Sequence, residues 1–411
     1  MHNPASRRPA GLAGLATVVA LLGTGSALAQ SSPYYIGVAQ SLGHESNLYR
    51  VGGGVGLPLG AQSKSDTISS TSLVAGVDQT WGRQRLSGSG SLRADRYARN
   101  DQLDNNGYGL NLGLDWATVQ RLSGRLGVSL DRSLRSFDPA DQNAQAGEGN
   151  IVDNNLLSAT VRLGVVTRLT AEATASRRSV RYSADGYSGS EYDQGTGSLG
   201  VRYRLGGATA VGLAWRQSSV KFTTAVSNYK RRDVDLTGNW DPSGLTSFYA
   251  RISHTSTDHP QRPARDFSGV TAELRGSTQV SGKVKLSTRL SRDLGQSTST
   301  FDFLGLRDNE EFLRVGTTLR LDADYALSAK ITLNAGVSHA RRSFDVAGAG
   351  FVGSDRTSTL ALGARWLPTR AIQVGCNLSH EDRRTARVNG LQVGNPYNSA
   401  SANCYGQFIL Q

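Results

Sequence analysis

The residues best equipped for bond-making chemistry are few and poorly placed for it. The six histidines are His2, His44, His254, His259, His339 and His380, and none are spaced as metal ligands on one element. Three follow a serine directly, in Ser253-His254, Ser338-His339 and Ser379-His380. A serine nucleophile needs its histidine within hydrogen-bond reach and an acid behind it. On an extended strand, neighbouring side chains point to opposite faces, which separates each pair. Ser379-His380-Glu381-Asp382 has suitable groups but reads as a solvated strand end. Gly52-Gly53-Gly54 and Gly348–Gly353 lack the lysine and following helix of a phosphate cradle, so they read as loops. Asp101–Asn106 offers oxygen ligands of the kind calcium takes. No enzyme, metal or cofactor follows from these residues.

The elements that would carry them are strands. From Arg85 to Asp95, Leu86, Gly88, Gly90, Leu92 and Ala94 alternate with Arg85, Ser87, Ser89, Ser91, Arg93 and Asp95. After a polar Asn100–Asn106, Tyr108, Leu110, Leu112, Leu114 and Trp116 alternate with Gly109, Asn111, Gly113 and Asp115. Period two is the β-strand signature, and both runs reach the roughly 9–11 residues that a tilted strand needs to cross a bilayer. The pattern recurs about eighteen times, with sixteen as the lower count, between Tyr35 and Leu410. Short turns such as Gly82-Arg83, Gly206-Gly207 and Ser281-Gly282 alternate with longer polar loops such as 52–65, 134–150, 295–309 and 345–355.

Residues 1–29 read as a signal peptide. Arg7 and Arg8 precede an apolar run over 11–23, and Ser26-Ala27-Leu28-Ala29 has the small-residue form of a cleavage site. Residues 30–411 are then an exported chain, for which nucleic acid is no partner. Its composition is 38% hydrophobic, with 48 Gly and 10 Pro, against about 45–50% apolar in soluble globular domains. A chain this long would be short of core residues unless one strand face meets lipid. No later apolar run of about 18 residues suggests a membrane helix. A soluble β-sandwich accounts for the alternation but not for the strand lengths or the alternating loop lengths.

The expectation is an all-β, transmembrane, antiparallel up-and-down β-barrel of the bacterial outer membrane, with N- and C-termini in the periplasm. Trp81, Trp116, Trp240 and Trp366, with Tyr325, each precede a short turn on the apolar face of their strand. They read as the girdle at the periplasmic interface. Outer-membrane lipid is thus an expected partner.

The first strand carries a local pattern of its own. In Ser41–Arg50 (SLGHESNLYR), Glu45, Asn47, Leu48, Tyr49 and Arg50 resemble the opening motif of the EpsL-type β-barrel porins of exopolysaccharide gene clusters, and Lys64–Leu86 is similar to their second strand and turn. The resemblance implies a porin-like component that passes a polysaccharide across the outer membrane, working with periplasmic polysaccharide-export proteins. The alternatives are a general diffusion porin and a non-conducting scaffold or binding barrel. The chain ends in Gln411, where many barrels end in an aromatic residue.

Two further expectations come from strand parity. Cys376 shares a face with Ile372, Val374 and Leu378, and Cys404 with Ala402, Phe408 and Leu410. Pairing the last two strands about Gly390 sets the cysteines opposite each other on the lipid face, within disulfide range and in an oxidising compartment. Arg93, Arg125, Arg162, Arg202, Arg216, Arg251, Arg275, Arg289 and Arg320 fall on the polar face, hence inward, because arginine on the lipid face at the midplane costs about 2–4 kcal/mol. The formal charge is +12, and these residues are expected to form a cationic stripe for an acidic polymer. Inward Asp95, Asp115, Asp131, Glu273 and Asp322 are placed to brace these arginines in ion pairs, and because the arginines outnumber them both outcomes can hold.

Overall fold

The alternation becomes one closed sheet. The computed structural model describes residues 32–119, 121–137, 149–164, 167–223, 228–261, 263, 266–294, 315–346, 351–385, 387–388, 391–392 and 396–411. The signal peptide expected over residues 1–29 lies outside them. Eighteen strands make the sheet. The first nine are β1 (Tyr34–Glu45), β2 (Asp66–Trp81), β3 (Gln84–Tyr97), β4 (Asn105–Ala117), β5 (Leu122–Leu134), β6 (Ile151–Leu163), β7 (Leu169–Tyr182), β8 (Tyr192–Arg204) and β9 (Thr209–Phe222). The second nine are β10 (Tyr229–Ser243), β11 (Thr246–Asp258), β12 (Phe267–Gln279), β13 (Val284–Leu294), β14 (Val315–Ala326), β15 (Ile331–Val346), β16 (Phe351–Trp366), β17 (Ile372–Thr385) and β18 (Tyr397–Leu410). Each strand pairs antiparallel with the next, and β18 returns to β1 through Ile36↔Leu410 to Glu45↔Ser401. Closure leaves no unpaired edge, which an open sheet of this width could not avoid.

Short turns join each even-numbered strand to the next and collect at one end, together with Tyr34 and Leu410. The longer connections collect at the other. Opposed residues share a face, so the register sorts every strand into an inward and an outward row. Outward rows are apolar: Leu199 and Leu213 stand 62% and 55% exposed on adjacent strands, with Leu73, Leu236, Ile252 and Leu362 around the same surface. Burying such a side chain gains about 1.5–3 kcal/mol. A girth of exposed leucines is therefore tolerable in lipid and not in water.

Two expectations change. The glycine-rich stretch expected as a loop over 345–355 is largely strand: β15 runs to Val346 and β16 starts at Phe351, paired down to Val346↔Phe351. Glycine weakens strand propensity, but here the cross-strand ladder carries the hairpin through it. Likewise β10 continues past Trp240 to Ser243 after a register shift. On the outward face, Cys376 stands opposite Cys404 in the β17–β18 register, and their sulfurs are bonded.

Candidate channel lining

Register places all nine arginines of the polar rows on the inner face, and the structure gives eight of them a carboxylate. Arg93 meets Asp95 at 2.9 Å, Arg125 meets Asp115 at 2.8 Å, Arg162 meets Glu172 at 2.6 Å, and Arg320 meets Asp322 at 2.8 Å. Arg216 reaches Asp235 at 3.0 Å. Arg251, Arg275 and Arg289 converge on one carboxylate, Glu273, at 3.6, 2.6 and 2.7 Å. Arg202 alone of the nine has no carboxylate partner among the described residues. Most of the cationic stripe expected from parity is therefore braced in ion pairs. Glu172, Asp233, Asp235 and Asp293 are among further inward carboxylates, with Asp78, Asp324, Asp355 and Glu381, so inward acids come close to matching inward bases. Their signal was present, since each sits on the polar parity of its strand. Which arginine each would meet depends on register.

The β10–β13 sector shows what the pairing builds. Arg231 and Asp293 sit on strands three spacings apart, about 14 Å along the sheet, yet their side chains meet at 2.8 Å. The pair spans the concave wall as a chord. Arg231 also holds Asp233 at 2.8 Å. Beneath them Ser253 donates to Asp235 at 2.5 Å, Thr255 donates to Asp233 at 2.6 Å, and Thr255 and Thr271 share a bond of 2.8 Å. Asp233, Ser253 and Thr255 are completely buried. A buried carboxylate costs several kcal/mol unless its lone pairs are satisfied, and here hydroxyls and guanidinium groups satisfy them together.

The facing wall, β1–β4, is built from small residues. Its inner row carries Gly37, Ala39 and Ser41 on β1, Ser70, Ser72 and Gly76 on β2, Ser87, Ser89 and Ser91 on β3, and Gly107, Gly109 and Gly113 on β4. Gly76 is dictated by its neighbour: a Cβ there would fall 2.1–2.6 Å from the ring atoms of Tyr35, which lies across it. Beside the Arg231–Asp293 chord, a cavity of ≈ 280 Å³ is lined by Arg178, Gln194, Arg216, Ser218, Tyr229 and Arg231. Like Arg202, Arg178 has no carboxylate partner among the described residues. These guanidinium groups, with the inward Arg204, Lys285 and Arg365 that likewise show no carboxylate partner among the described residues, are what the lumen offers an anion.

At the long-loop end, the Glu45–Arg50 segment folds into a knot. The Glu45 carboxylate accepts from the Ser399 hydroxyl. The Asn47 amide donates to the carbonyls of Val51 and Asn398 at 2.9 and 2.8 Å, and its oxygen accepts from Val51 N–H at 3.0 Å. That turn holds Arg50 at φ 51, left-handed for a non-glycine residue, and its guanidinium donates to Glu381 at 3.3 Å. Tyr397 donates to the same carboxylate at 2.5 Å. Leu48 and Tyr49 are buried against Leu103 and Phe137. Burial, followed by the nearby Asp66 carboxylate, pushes the Tyr49 phenol up to about 12. It therefore remains a neutral donor to Asn100 Oδ1, at 3.0 Å. In this chain Glu45, Asn47 and Arg50 join the first loop to the β17–β18 seam, while Leu48 and Tyr49 pack it against Leu103 and Phe137.

The remaining candidates separate as parity requires. Ser253 is buried inward while His254 is exposed outward; Ser338 and Ser379 point in, His339 and His380 out. His339 Nδ1 lies 2.9 Å from Ser358 Oγ on the outer face, with no acid behind it among the described residues. Asp101 accepts from Gln62 and Asp104 from Tyr97 N–H, and no group of three metal-ligating side chains occurs among the described residues. At the short-turn end Trp81, Trp240 and Trp366 stand about half exposed on the outward face, with Tyr325 and the partly covered Trp116 on the same row.

No family model and no curated relative matches this sequence. Solved structures do. OccK9 (OpdG) of Pseudomonas aeruginosa is similar at a TM-score of 0.51 and 14% identity, over 92% of this chain and 98% of that one. OccAB4 of Acinetobacter baumannii gives 0.51 and 10%, over 93% and 99%. OccK2 (OpdF) of Pseudomonas aeruginosa gives 0.50 and 13%, over 92% and 98%. What the chain shares with these outer-membrane Occ porins is the fold, a closed antiparallel barrel of 18 strands.

Proposed function

We propose that the protein is an outer-membrane diffusion porin that admits small polar solutes and favours anions, with both termini on the periplasmic side. The observation that carries this is the lumen: a polar inner face in which a wall of Gly, Ala and Ser opposes a wall of ion pairs, with Arg178, Arg202, Arg204, Lys285 and Arg365 left without a carboxylate among the described residues. An 18-stranded barrel is wide enough for an aqueous channel, and side-chain charge tunes selectivity at such a wall. The likeness to Occ porins supports a channel over an enzyme. It lends no weight to polysaccharide export, for which polysaccharide and periplasmic export proteins would be the partners. That reading rests on the Glu45–Arg50 pattern, and the structural role of those residues accounts for them without a polymer.

Planar-bilayer recording of the purified barrel tests the proposal. Stable conductance steps with a moderate preference for chloride over potassium are expected, and a protein that inserts without conducting overturns it. Deleting the gene separates the two transport readings. Reduced uptake of small anions with normal extracellular polymer supports the diffusion porin; lost polymer with normal uptake supports export.

A further inference from the structure

The outward face near the long-loop end is not uniformly charged. Over β5–β9 the opposed charges of the uppermost row alternate in sign. Arg132 opposes Asp153, which opposes Arg181, with ion pairs of 2.7 Å for Arg132–Asp153 and 2.6 Å for Arg181–Asp193; Asp193 in turn opposes Lys221. Over β13–β17 the sequence of opposed residues is Arg292, Thr317, Arg341, Arg356, Arg384. Arg341 and Arg356 are direct partners, as are Arg356 and Arg384. Like charges directly opposed across strands destabilise a sheet, so such a row needs a counter-charge. Asp382 serves Arg384 at 2.9 Å. Arg292, Arg341 and Arg356 are exposed and have no carboxylate within ion-pair reach among the described residues.

Their height identifies the counter-charge. Below the row the same faces carry Leu290, Leu319, Val337, Leu360 and Leu378, all exposed and apolar. Arg356 lies about ten residues along β16 from Trp366, roughly 25 Å of height at 3.3 Å per residue and a tilt near 40°. That is the thickness of the apolar band of such barrels, so the row sits at the opposite headgroup level. Neighbouring strands are about 4.8 Å apart, which lets two guanidinium forks grip one phosphate.

We infer that Arg292, Arg341 and Arg356, with Arg384 at their end, form a binding site for the phosphate groups of an anionic glycolipid in the outer leaflet. This rests on reading the barrel as an outer-membrane channel. The β5–β9 arc, whose uppermost opposed charges alternate in sign, is the part of the rim without such a lipid.

The test uses the whole barrel, refolded and placed in zwitterionic vesicles containing a minor fraction of a bisphosphorylated glycolipid. Lipid retained after mild extraction is counted by native mass spectrometry. Basic residues near an anionic surface contribute about fivefold each. The combined Arg292→Gln, Arg341→Gln and Arg356→Gln variant should therefore hold the glycolipid on the order of a hundredfold more weakly. Arg181→Gln with Lys221→Gln should match the wild type, and the dephosphorylated glycolipid should not be retained. Equal retention by the triple variant, equal retention of the dephosphorylated lipid, displacement by millimolar inorganic phosphate, or a second copy of the chain on this face would each overturn the assignment. Conductance is recorded in parallel. A barrel that conducts yet retains no phosphorylated lipid removes this site alone, whereas one that never inserts removes the channel reading with it.

Discussion

The two facing walls of the lumen hold their shape by different means. Over β9–β13, side chains inside the barrel do the bracing: Glu273 gathers three arginines, and Arg231 spans from Asp233 to Asp293. Over β1–β4 the inner row is mostly too small to reach across strands, with isolated exceptions such as Arg85–Asp78. That side is braced at the seam instead, by the mouth knot of Asn47–Arg50 and by the Cys376–Cys404 bond on the lipid face of the adjoining strands. Space and rigidity compete for the same side chains. Where the inner residues are small enough to leave a passage, the fastening moves outside it.

Removing the hub of the charged wall should produce the largest effect. Glu273→Ala leaves three guanidinium groups facing one another, and breaking a buried pair typically costs about 3–5 kcal/mol. Asp115→Ala, which frees the half-exposed Arg125 near the small wall, should cost about 0–1 kcal/mol. Urea unfolding in vesicles measures both, and equal losses would dissolve the contrast. Next comes the seam. The disulfide closes a loop with a sequence separation of 28, so Cys376→Ser with Cys404→Ser should lower stability by about 3 kcal/mol, with the lumen and its selectivity unchanged. Alkylation before and after reduction checks the starting state, which should show no free thiol until reductant is added.

Smaller effects belong to transport. Arg178→Glu with Arg202→Glu should turn the preference for chloride into one for potassium, read as a shift in reversal potential under a salt gradient. Arg162→Gln, whose partner Glu172 stays behind, should move it less. The smallest change is expected from Ser89→Phe on the small wall: lower single-channel conductance at constant selectivity. If instead it alters selectivity and leaves conductance alone, the passage does not follow that wall.

Local alternation was enough to determine the strands, their inward and outward rows, and the lipid-facing parity of Cys376 and Cys404, because side-chain direction in a strand depends only on position parity. Parity likewise put all nine arginines inside. It could not say what they meet. The Arg231–Asp293 contact joins strands that are not neighbours, and three arginines share Glu273 because register and curvature bring their ends to one point. The motif at Glu45–Arg50 was equally visible as a pattern, and equally silent about its partners Glu381, Asn398 and Ser399, more than 300 positions away. The opposed Arg341, Arg356 and Arg384 look in the sequence like ordinary polar strand ends. Only the closed sheet, by fixing which residue lies beside which, turned them into a row.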